Sequence, residues 1–571
     1  MKNKLTITEW RQSLFFVTLT GLFLIAPLYA EANIGGLGLA LTYNIPVWAV
    51  ASWIIATASV LITVNRCFTT PKLWVAVVIF PVIIIMMSLF TPVNQPITWL
   101  FRQLYILGGV LFLFALFQFQ AKQQAIDRVL FILVLAMGLH AWVGTVQAIA
   151  PYELITWFLF PMDFVPRGIL QQINVQASFL VTGLIITLYL ISRPGFRSSS
   201  LFVKAWVVVA FSLAIYVVIA SGSRVGLLSL LLGIPLVLWS RYRQLWWHKK
   251  LLIILLLVSC GSFWAAQAGL YRTVDKTAQL SERSYSSARI AMYTIGLELV
   301  AKRPMTGYGI GGFLKAWNKQ ASDFVSRHPE TGLPSYTTTT HPHNELLFWT
   351  IEAGLPGVMG IFVLVAGIGL ALYRCGFQRG GAYAAMLLPI SLHTQVELPF
   401  YVSSVHWFLW LFLIYLLLRH QTKTIKTGLS QSATRLIQIV AVFFATGVTA
   451  FMINTDRAQS ALYHFSFDKN PKLSDLQIAL KNLYFEPLAE KVVMGSMLYT
   501  SIQKNDRAKV ESFESWARDY VKTSPELQMY EDLIAASLFL RPEGKGCDAI
   551  KAGFAMYSQN KALQQAVVHC P

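Results

Sequence analysis

Long apolar segments recur along most of this 571-residue chain and limit what it can fold into. Between Gln12 and Met452 they run about 18 to 22 residues each, enough to cross a hydrocarbon core of ~30 Å as an α-helix. Lipid offers the backbone no hydrogen-bond partners, so segments of this kind span a membrane as helices. We therefore predict an all-α polytopic membrane protein with about 13 transmembrane helices.

The basic residues indicate how these spans are oriented. Lys and Arg close to span ends are retained on the cytoplasmic side. If the N-terminus is cytoplasmic, the connections on that side carry the basic residues Arg66, Lys72, Lys122, Arg128, Arg193, Arg197, Lys204, Arg241, Arg243, Lys249, Lys250, Arg374, Arg379, Arg419, Lys423, Lys426 and Arg435. Short connections on the other side carry almost none. The net charge of +19 is thus explained by loops that face anionic membrane lipid, and nucleic acid is not a predicted partner.

Three regions follow from this topology. Residues 1–452 form the predicted bundle, which includes a long loop, 271–340, between the ninth and tenth spans. Residues 453–571 form a tail on the same, extracytoplasmic side as the loop. The tail has fourteen basic and fourteen acidic residues, and its apolar residues recur at helical spacing. We expect a helical domain that either docks a polypeptide partner or acts as a structural cap.

The tail also contains two of the five cysteines, Cys547 and Cys570. An oxidising compartment would allow these two to form a disulfide. Cys67, Cys260 and Cys375 lie in or near the predicted spans, where we expect them to be reduced or inert.

The long loop contains a predicted helix and a glycine-rich turn. Residues 286–301 have the pattern of an amphipathic helix lying at the membrane surface, with Ile290, Tyr293, Leu297 and Val300 on one side. The turn that follows has the spacing GxGxxG at Gly307, Gly309 and Gly312. No strand precedes it, so it is not interpreted as a dinucleotide site. Glycine there permits a tight turn and close backbone approach, with phosphate as one candidate, and Gly309 is a candidate donor-binding residue.

The loop ends in His341-Pro342-His343-Asn344, whose side chains are the strongest candidates for catalysis in the sequence. Histidine, with a reference pKa near ~6.5, suits a general base for a hydroxyl. Asn344 is a favourable N-cap for a span starting at Glu345, which would hold His343 beside an anion-binding helix N-terminus. His343 is the predicted base, with His341 as a supporting or second candidate. The spacing of possible ligands does not indicate a metal site.

Polar residues at the same predicted face accompany this motif. Arg224, in a very short connection, and Arg289, in the loop helix, have guanidinium groups that match phosphate oxygens bidentately. An interfacial arginine reaching for lipid headgroups is the alternative for Arg224. The remaining candidates for donor or acceptor binding are Arg167, Gln172, Asn174 and Glu397. Glu345 and Glu352 are expected to line the same cavity or to pair with arginine, and Gly354, Gly357 and Gly360 to allow tight helix packing.

These residues resemble the O-antigen ligase/polymerase superfamily, and within it the bacterial protein O-oligosaccharyltransferases that glycosylate pilins. The family motif is a histidine with an Asn, Ser or Gln, then nine residues and GxxG. Here it reads His343-Asn344, nine residues, then Gly354-Leu355-Pro356-Gly357. The chain departs from the pilin-type signature, an acidic residue followed by Tyr-Pro, because it has Glu397-Leu398-Pro399.

The resemblance implies a metal-independent glycosyltransferase of GT-C-like architecture that uses no cofactor. It would transfer a preassembled oligosaccharide from undecaprenyl diphosphate to an acceptor hydroxyl, on the periplasmic side of the bacterial inner membrane, with inversion of the anomeric centre. His343 would serve as base, and Arg224 and Arg289 would bind the diphosphate.

Three acceptors fit this donor chemistry: a protein such as a pilin, lipid A–core, or a growing O-antigen chain. The long tail favours a protein acceptor, since an exported helical surface suits protein docking. A lipid-glycan transporter or flippase is disfavoured, because its polar residues would lie near the bilayer midplane within inverted repeats.

Overall fold

The computed structural model describes residues 7–150, 164–271, 285–328, 339–468, 471–541, 546–558 and 560–570. The chain divides into two compact units. Unit 1 contains Met1–Val78, Ile106–Lys276 and Val363–Tyr463, and unit 2 contains Ile79–Tyr105, Thr277–Phe362 and His464–Pro571. The long loop and the tail, which the sequence alone assigns to separate domains, are therefore parts of the same unit.

Helices dominate both units. The first nine are α1 Ile7–Thr20, α2 Asn44–Asn65, α3 Trp74–Met87, α4 Pro96–Gln118, α5 Gln123–Ile149, α6 Ile173–Ile191, α7 Leu201–Ser221, α8 Arg224–Trp246 and α9 Lys249–Ala265. The next seven are α10 Tyr285–Lys302, α11 Phe313–Arg327, α12 Glu345–Arg374, α13 Gly376–His393, α14 Pro399–Val402, α15 Ser404–Leu418 and α16 Gln431–Phe467. The tail adds α17 Gln477–Leu480, α18 Glu486–Gln503, α19 Arg507–Thr523, α20 Leu527–Leu540, α21 Cys547–Met556 and α22 Lys561–Val568.

Nine helical segments in the described part of the chain are long and apolar enough to cross a membrane. They are Glu9–Leu28, which includes most of α1, and helices α2, α4, α5, α6, α7, α8, α12 and α16. Two shorter apolar helices are α3 and α15. The predicted all-α polytopic membrane fold is confirmed, whereas the number of thirteen spans stays a prediction.

Helix α6 lies at the centre of unit 1. Every residue from Val175 to Ile191 is buried, because α5, α7, α8 and α13 pack around it. A helix that is apolar on all sides is stable in such a position. The polar residues Gln172 and Asn174, at the N-terminal end of α6, are thereby held against neighbouring helices.

Unit 1 also contains a pair of short strands that the sequence did not indicate. Strand β1, Cys67–Pro71, pairs antiparallel with β2, Thr422–Lys426, with Cys67 opposite Lys426 and Pro71 opposite Thr422. Gln118 satisfies the outer edge of β1, accepting the Thr69 N–H at 3.0 Å and donating to the Thr69 carbonyl at 2.8 Å. Neither Cys67–Pro71 nor Thr422–Lys426 alternates apolar and polar residues, so the period of two that indicates a strand is absent from both.

The tail of unit 2 is a helical array, as predicted. Its core is built from α18 to α21 and contains Leu498, Val510, Phe513, Ala517, Met529, Leu533, Ala536, Leu540 and Ala549. Pro487 lies at the start of α18, and Pro525 separates α19 from α20. Cys547 and Cys570 form a disulfide, which confirms that pairing, and Cys67, Cys260 and Cys375 are free.

Candidate functional site

The motif His341-Pro342-His343-Asn344 leads directly into α12. The Asn344 side chain accepts the Leu347 N–H at 2.9 Å, so the predicted N-cap is confirmed. His343 has a φ of 51°, in the left-handed region that is costly for a residue with a side chain. Its backbone N–H donates to Nδ1 of His341 at 3.2 Å, and the two rings lie 4.3 Å apart, edge to face.

The two histidines therefore make different contacts, with Nδ1 of His341 as the acceptor of the His343 backbone N–H. Both imidazoles are partly exposed, whereas Pro342 between them is buried. Backbone strain of the kind seen at His343 persists where the surrounding structure holds it, and it is concentrated at functional sites.

The glycine-rich turn packs against a kink in α12. The sequence predicted a span starting at Glu345 without indicating a kink, but Gly354 has a φ of 66° and a ψ of −168°, which breaks the helix geometry there. The N–H groups of Tyr308 and Gly309 donate to the carbonyls of Ile351 and Glu352, each at 2.9 Å. The turn therefore replaces part of the hydrogen bonding that α12 loses at its kink.

The glycines of the turn allow this close approach. A Cβ on Gly307 would lie 2.6 Å from the Glu352 carbonyl, and one on Gly309 would lie 2.8 Å from the Pro92 carbonyl. The predicted close backbone approach is thus made to the protein's own backbone. The Gly309 N–H already donates to the Glu352 carbonyl, so these contacts do not support the predicted role of Gly309 in binding the glycan donor, which stays a prediction.

Burial raises the pKa of the Tyr308 hydroxyl, which keeps it protonated.

Gly360 packs closely against α3, as predicted, because a Cβ there would lie 3.0 Å from Cα of Phe80. Gly354, at the kink itself, instead approaches the loop, where a Cβ would lie 2.5 Å from the Met305 carbonyl.

Two buried carboxylates lie in the first turns of α12. Glu352 pairs with Arg102 of α4 and accepts the Gly311 N–H at 3.0 Å. The guanidinium of Arg102 also lies 4.6 Å from the centre of the Phe348 ring. Pairing of Glu352 with an arginine was predicted, but Arg102 itself was missed. Its signal was an arginine within a predicted span, since a charge there requires a partner.

Glu345 occupies the position directly after Asn344 and is 8% exposed. Its Oε2 accepts the Trp349 indole N–H at 3.2 Å. Its Oε1 is buried and has no hydrogen-bond partner among the described residues. A buried acceptor of this kind normally requires one, and a hydroxyl group can supply it.

Arg289 lies within α10, whose predicted helical character is confirmed. The Arg289 side chain lies outside the described residues, so its role stays a prediction. On the predicted apolar side of α10, Ile290 and Leu297 are 67% and 62% exposed. Ala291 and Ile295 are buried instead, a second apolar face that sequence reasoning missed.

In unit 1, Arg224 is the first residue of α8 and is exposed. The preceding residue, Ser223, caps this helix by accepting the Gly226 N–H at 3.2 Å. The Ser223 hydroxyl donates to Oδ1 of Asn174 at 2.7 Å. Two candidates, Arg224 and Asn174, are therefore brought together through Ser223, at a helix N-terminus that favours an anion.

Two further candidates are joined in the same unit. Gln172 donates to Glu397 at 3.1 Å. Arg167 is half-buried, and its backbone N–H donates to the Val165 carbonyl at 2.9 Å. The candidates therefore form two groups, with His341, His343, Asn344, Gly309 and Arg289 in unit 2 and Arg167, Gln172, Asn174, Arg224 and Glu397 in unit 1.

A buried polar chain runs beside this second group and was not predicted. Ser178 on α6 lies 2.9 Å from Nδ1 of His393 and 3.1 Å from Nε2 of His406. Nδ1 of His406 lies 2.9 Å from the Ser403 hydroxyl. All four side chains are buried, and Nε2 of His393 is buried without a hydrogen-bond partner among the described residues. Buried polar contacts of this kind specify how helices pack.

Three family models match the chain. The model described as O-antigen ligase matches residues 209–362, a stretch that includes Arg224, Arg289, the glycine-rich turn and the histidine motif. The model for the C-terminal part of a virulence factor membrane-bound polymerase matches residues 382–570. The model described as protein glycosylation ligase matches residues 166–191, where Arg167, Gln172 and Asn174 lie. No curated protein matches the chain.

Proposed function

We propose that this chain, which belongs to the O-antigen ligase superfamily, transfers a preassembled glycan from undecaprenyl diphosphate to a serine or threonine hydroxyl of an acceptor protein such as a pilin. Membership of that superfamily and the helical membrane fold support a glycan-transferring membrane enzyme. The donor, the acceptor and the periplasmic side of a bacterial inner membrane are the parts that we propose.

The geometry at His343 carries this proposal. The residue is held in a strained conformation, is partly exposed, and precedes a capped helix N-terminus. An imidazole in this position can accept a proton from a hydroxyl, while the helix N-terminus favours a nearby anion. Both properties are needed where a hydroxyl displaces a diphosphate.

In the proposed reaction, the acceptor oxygen attacks the anomeric carbon of the donor sugar while His343 takes the hydroxyl proton. The new glycosidic C–O bond forms on the face opposite the breaking C–O bond to the diphosphate, so the configuration inverts. Undecaprenyl diphosphate leaves with the bonding electron pair, and His343 then releases its proton to water.

Arg224 and Arg289 stabilise the charge on the leaving diphosphate in this proposal. Guanidinium groups form paired, charge-assisted hydrogen bonds to phosphate oxygens, and preorganised charge of this kind lowers the barrier. Asn174, tied to Ser223, keeps the start of α8 in place beside Arg224. With arginines in this role the reaction requires no metal ion.

A protein acceptor is favoured by two observations. The protein glycosylation ligase model matches the turn and helix that contain Gln172 and Asn174, and the tail provides a folded helical surface. The runner-up is ligation to lipid A–core, because the O-antigen ligase model covers a longer stretch, 209–362.

The decisive experiment expresses the chain with a lipid-linked glycan and a candidate pilin in a host that lacks its own ligase. Intact-mass analysis of the pilin and a glycan blot of lipid A are read from the same cells. We expect a mass increase on the pilin that is absent with His343→Ala. Glycan on lipid A alone would support the runner-up, ligation to lipid A–core. Glycan on neither acceptor would contradict ligation to the pilin and ligation to lipid A–core.

A further inference from the structure

Helix α11 is hydrogen-bonded to the C-terminal tail within unit 2. The Asn318 side chain donates to the Pro525 carbonyl and contacts the Tyr557 hydroxyl, both at 2.9 Å. The Tyr557 hydroxyl donates to the same carbonyl at 2.6 Å. One turn further along α11, Ser322 donates to the Ser558 hydroxyl at 2.8 Å.

These contacts are buried and therefore costly to lose. Asn318 is 4% exposed and Tyr557 is 1% exposed. A buried amide or hydroxyl that loses its partner keeps the full cost of its desolvation. The Cys547–Cys570 disulfide closes the segment that carries Tyr557 and Ser558, which limits how far that segment can move away.

The other end of α11 leads to the histidine motif. Helix α11 starts at Phe313, directly after the glycine-rich turn. In that turn Gly311 donates to Oε1 of Glu352, and Gly309 to the Glu352 carbonyl. Glu352 lies two turns into the helix that Asn344 caps. A continuous set of described contacts thus joins the tail, α11, the turn and the helix of the motif.

A second tie joins the tail to the same turn. The Gln95 side chain donates to the Ser524 hydroxyl at 2.9 Å, one residue before Pro525. A Cβ on Gly311 would lie 3.5 Å from Cβ of Gln95, so Gln95 lies beside the turn and is hydrogen-bonded to the tail.

We propose that Asn318 and Tyr557 are positioning residues, through which the C-terminal tail holds α11 and, with it, the glycine-rich turn against the helix that carries the histidine motif. The tail is then part of the framework of the site as well as a candidate docking surface. As a positioning role in glycan transfer, this inference rests on the function proposed above.

The first test measures amide hydrogen exchange in the full-length protein and needs no activity. The observed amides are those of Tyr308, Gly309 and Gly311, compared between wild type, Tyr557→Phe and Tyr499→Phe. Tyr499 is the matched control, because its hydroxyl donates to Asp532 at 2.6 Å inside the tail, away from α11. We expect these amides to exchange about fivefold faster in Tyr557→Phe, the size of one lost hydrogen bond, and unchanged in Tyr499→Phe. Unchanged exchange in Tyr557→Phe would overturn the coupling.

If Tyr557→Phe does not fold, Ser558→Ala removes a neighbouring contact with α11, and its amide exchange is interpreted in the same way.

The second test measures transfer kinetics with a lipid-linked glycan and a pilin. A positioning role lowers kcat about fivefold or more with little change in KM for the pilin, whereas a tail that only docks the acceptor raises that KM alone. If wild type transfers nothing, the proposed function fails, and the exchange measurement still decides the coupling.

Discussion

Arg102 and Glu352 form a buried ion pair between α4 and α12, and Glu352 also accepts the Gly311 N–H at 3.0 Å. One carboxylate therefore holds a helix and a loop to the start of the helix that the histidine motif precedes. The side chain of Glu352 is fully buried and that of Arg102 is 17% exposed, so neither charge has much access to water.

Removing one partner of this pair should destabilise the protein strongly. Arg102→Ala leaves a buried carboxylate uncompensated, and we expect a loss of about 3–5 kcal/mol, measured as thermal unfolding in detergent. The double variant Arg102→Leu with Glu352→Leu should recover much of that loss. The control is Arg327→Ala, because the Arg327–Glu298 pair is 53% and 30% exposed and should contribute less than about 1 kcal/mol. Equal stability of Arg102→Ala and wild type would refute a stabilising pair.

Replacing His343 should remove transfer without unfolding the protein. A general base contributes about 10²- to 10⁴-fold, so His343→Ala should lose at least that much activity. His341→Ala removes the acceptor of the His343 N–H, which positions the base, and should cost less, about tenfold. The measurement is transfer to a pilin at equal expression, with unfolding temperature as the folding control. Transfer by His343→Ala at a rate near that of wild type would show that His343 is not the general base.

If Arg224 and Arg289 bind a diphosphate through their guanidinium groups, lysine at either position should not support transfer. Arg224→Lys and Arg289→Lys keep the charge but lose the guanidinium fork, so we expect each to be nearly as inactive as the alanine variant. Arg435→Lys is the control, at an exposed position near the start of α16, and should transfer normally. Full activity of the lysine variants would indicate that charge alone is required.

The disulfide should stabilise the tail. Cys547→Ser opens a segment that the bond closes over a sequence separation of 23 residues, and a loop of that size is expected to be worth about 3 kcal/mol. Limited proteolysis with and without reductant should show faster cleavage of the tail when the bond is absent. Cys260→Ser, at a free and exposed cysteine, should behave as wild type. A tail equally resistant with and without the bond would contradict this stabilisation.

Several features were accessible from the sequence because they depend on local composition or spacing. Apolar runs predicted the helical membrane fold, the Asn344 cap followed from its position before a helix, and the tail helices followed from their periodicity. The His343-Asn344 motif with its GxxG identified the superfamily. Each of these requires knowledge only of residues close together in the chain.

Other features depend on pairs of residues far apart in the chain, which tertiary packing brings together. Arg102 meets Glu352 across 250 positions, and Asn318 meets Tyr557 across 239. No local pattern predicts such partners, because burial of a polar group demands a partner without specifying which one. The sequence by itself therefore determined the class of fold and the superfamily, and it supplied the hypothesis for the chemistry of the motif. Only the tertiary structure decided that the glycine-rich turn binds backbone and that the tail belongs to the same unit as the histidines.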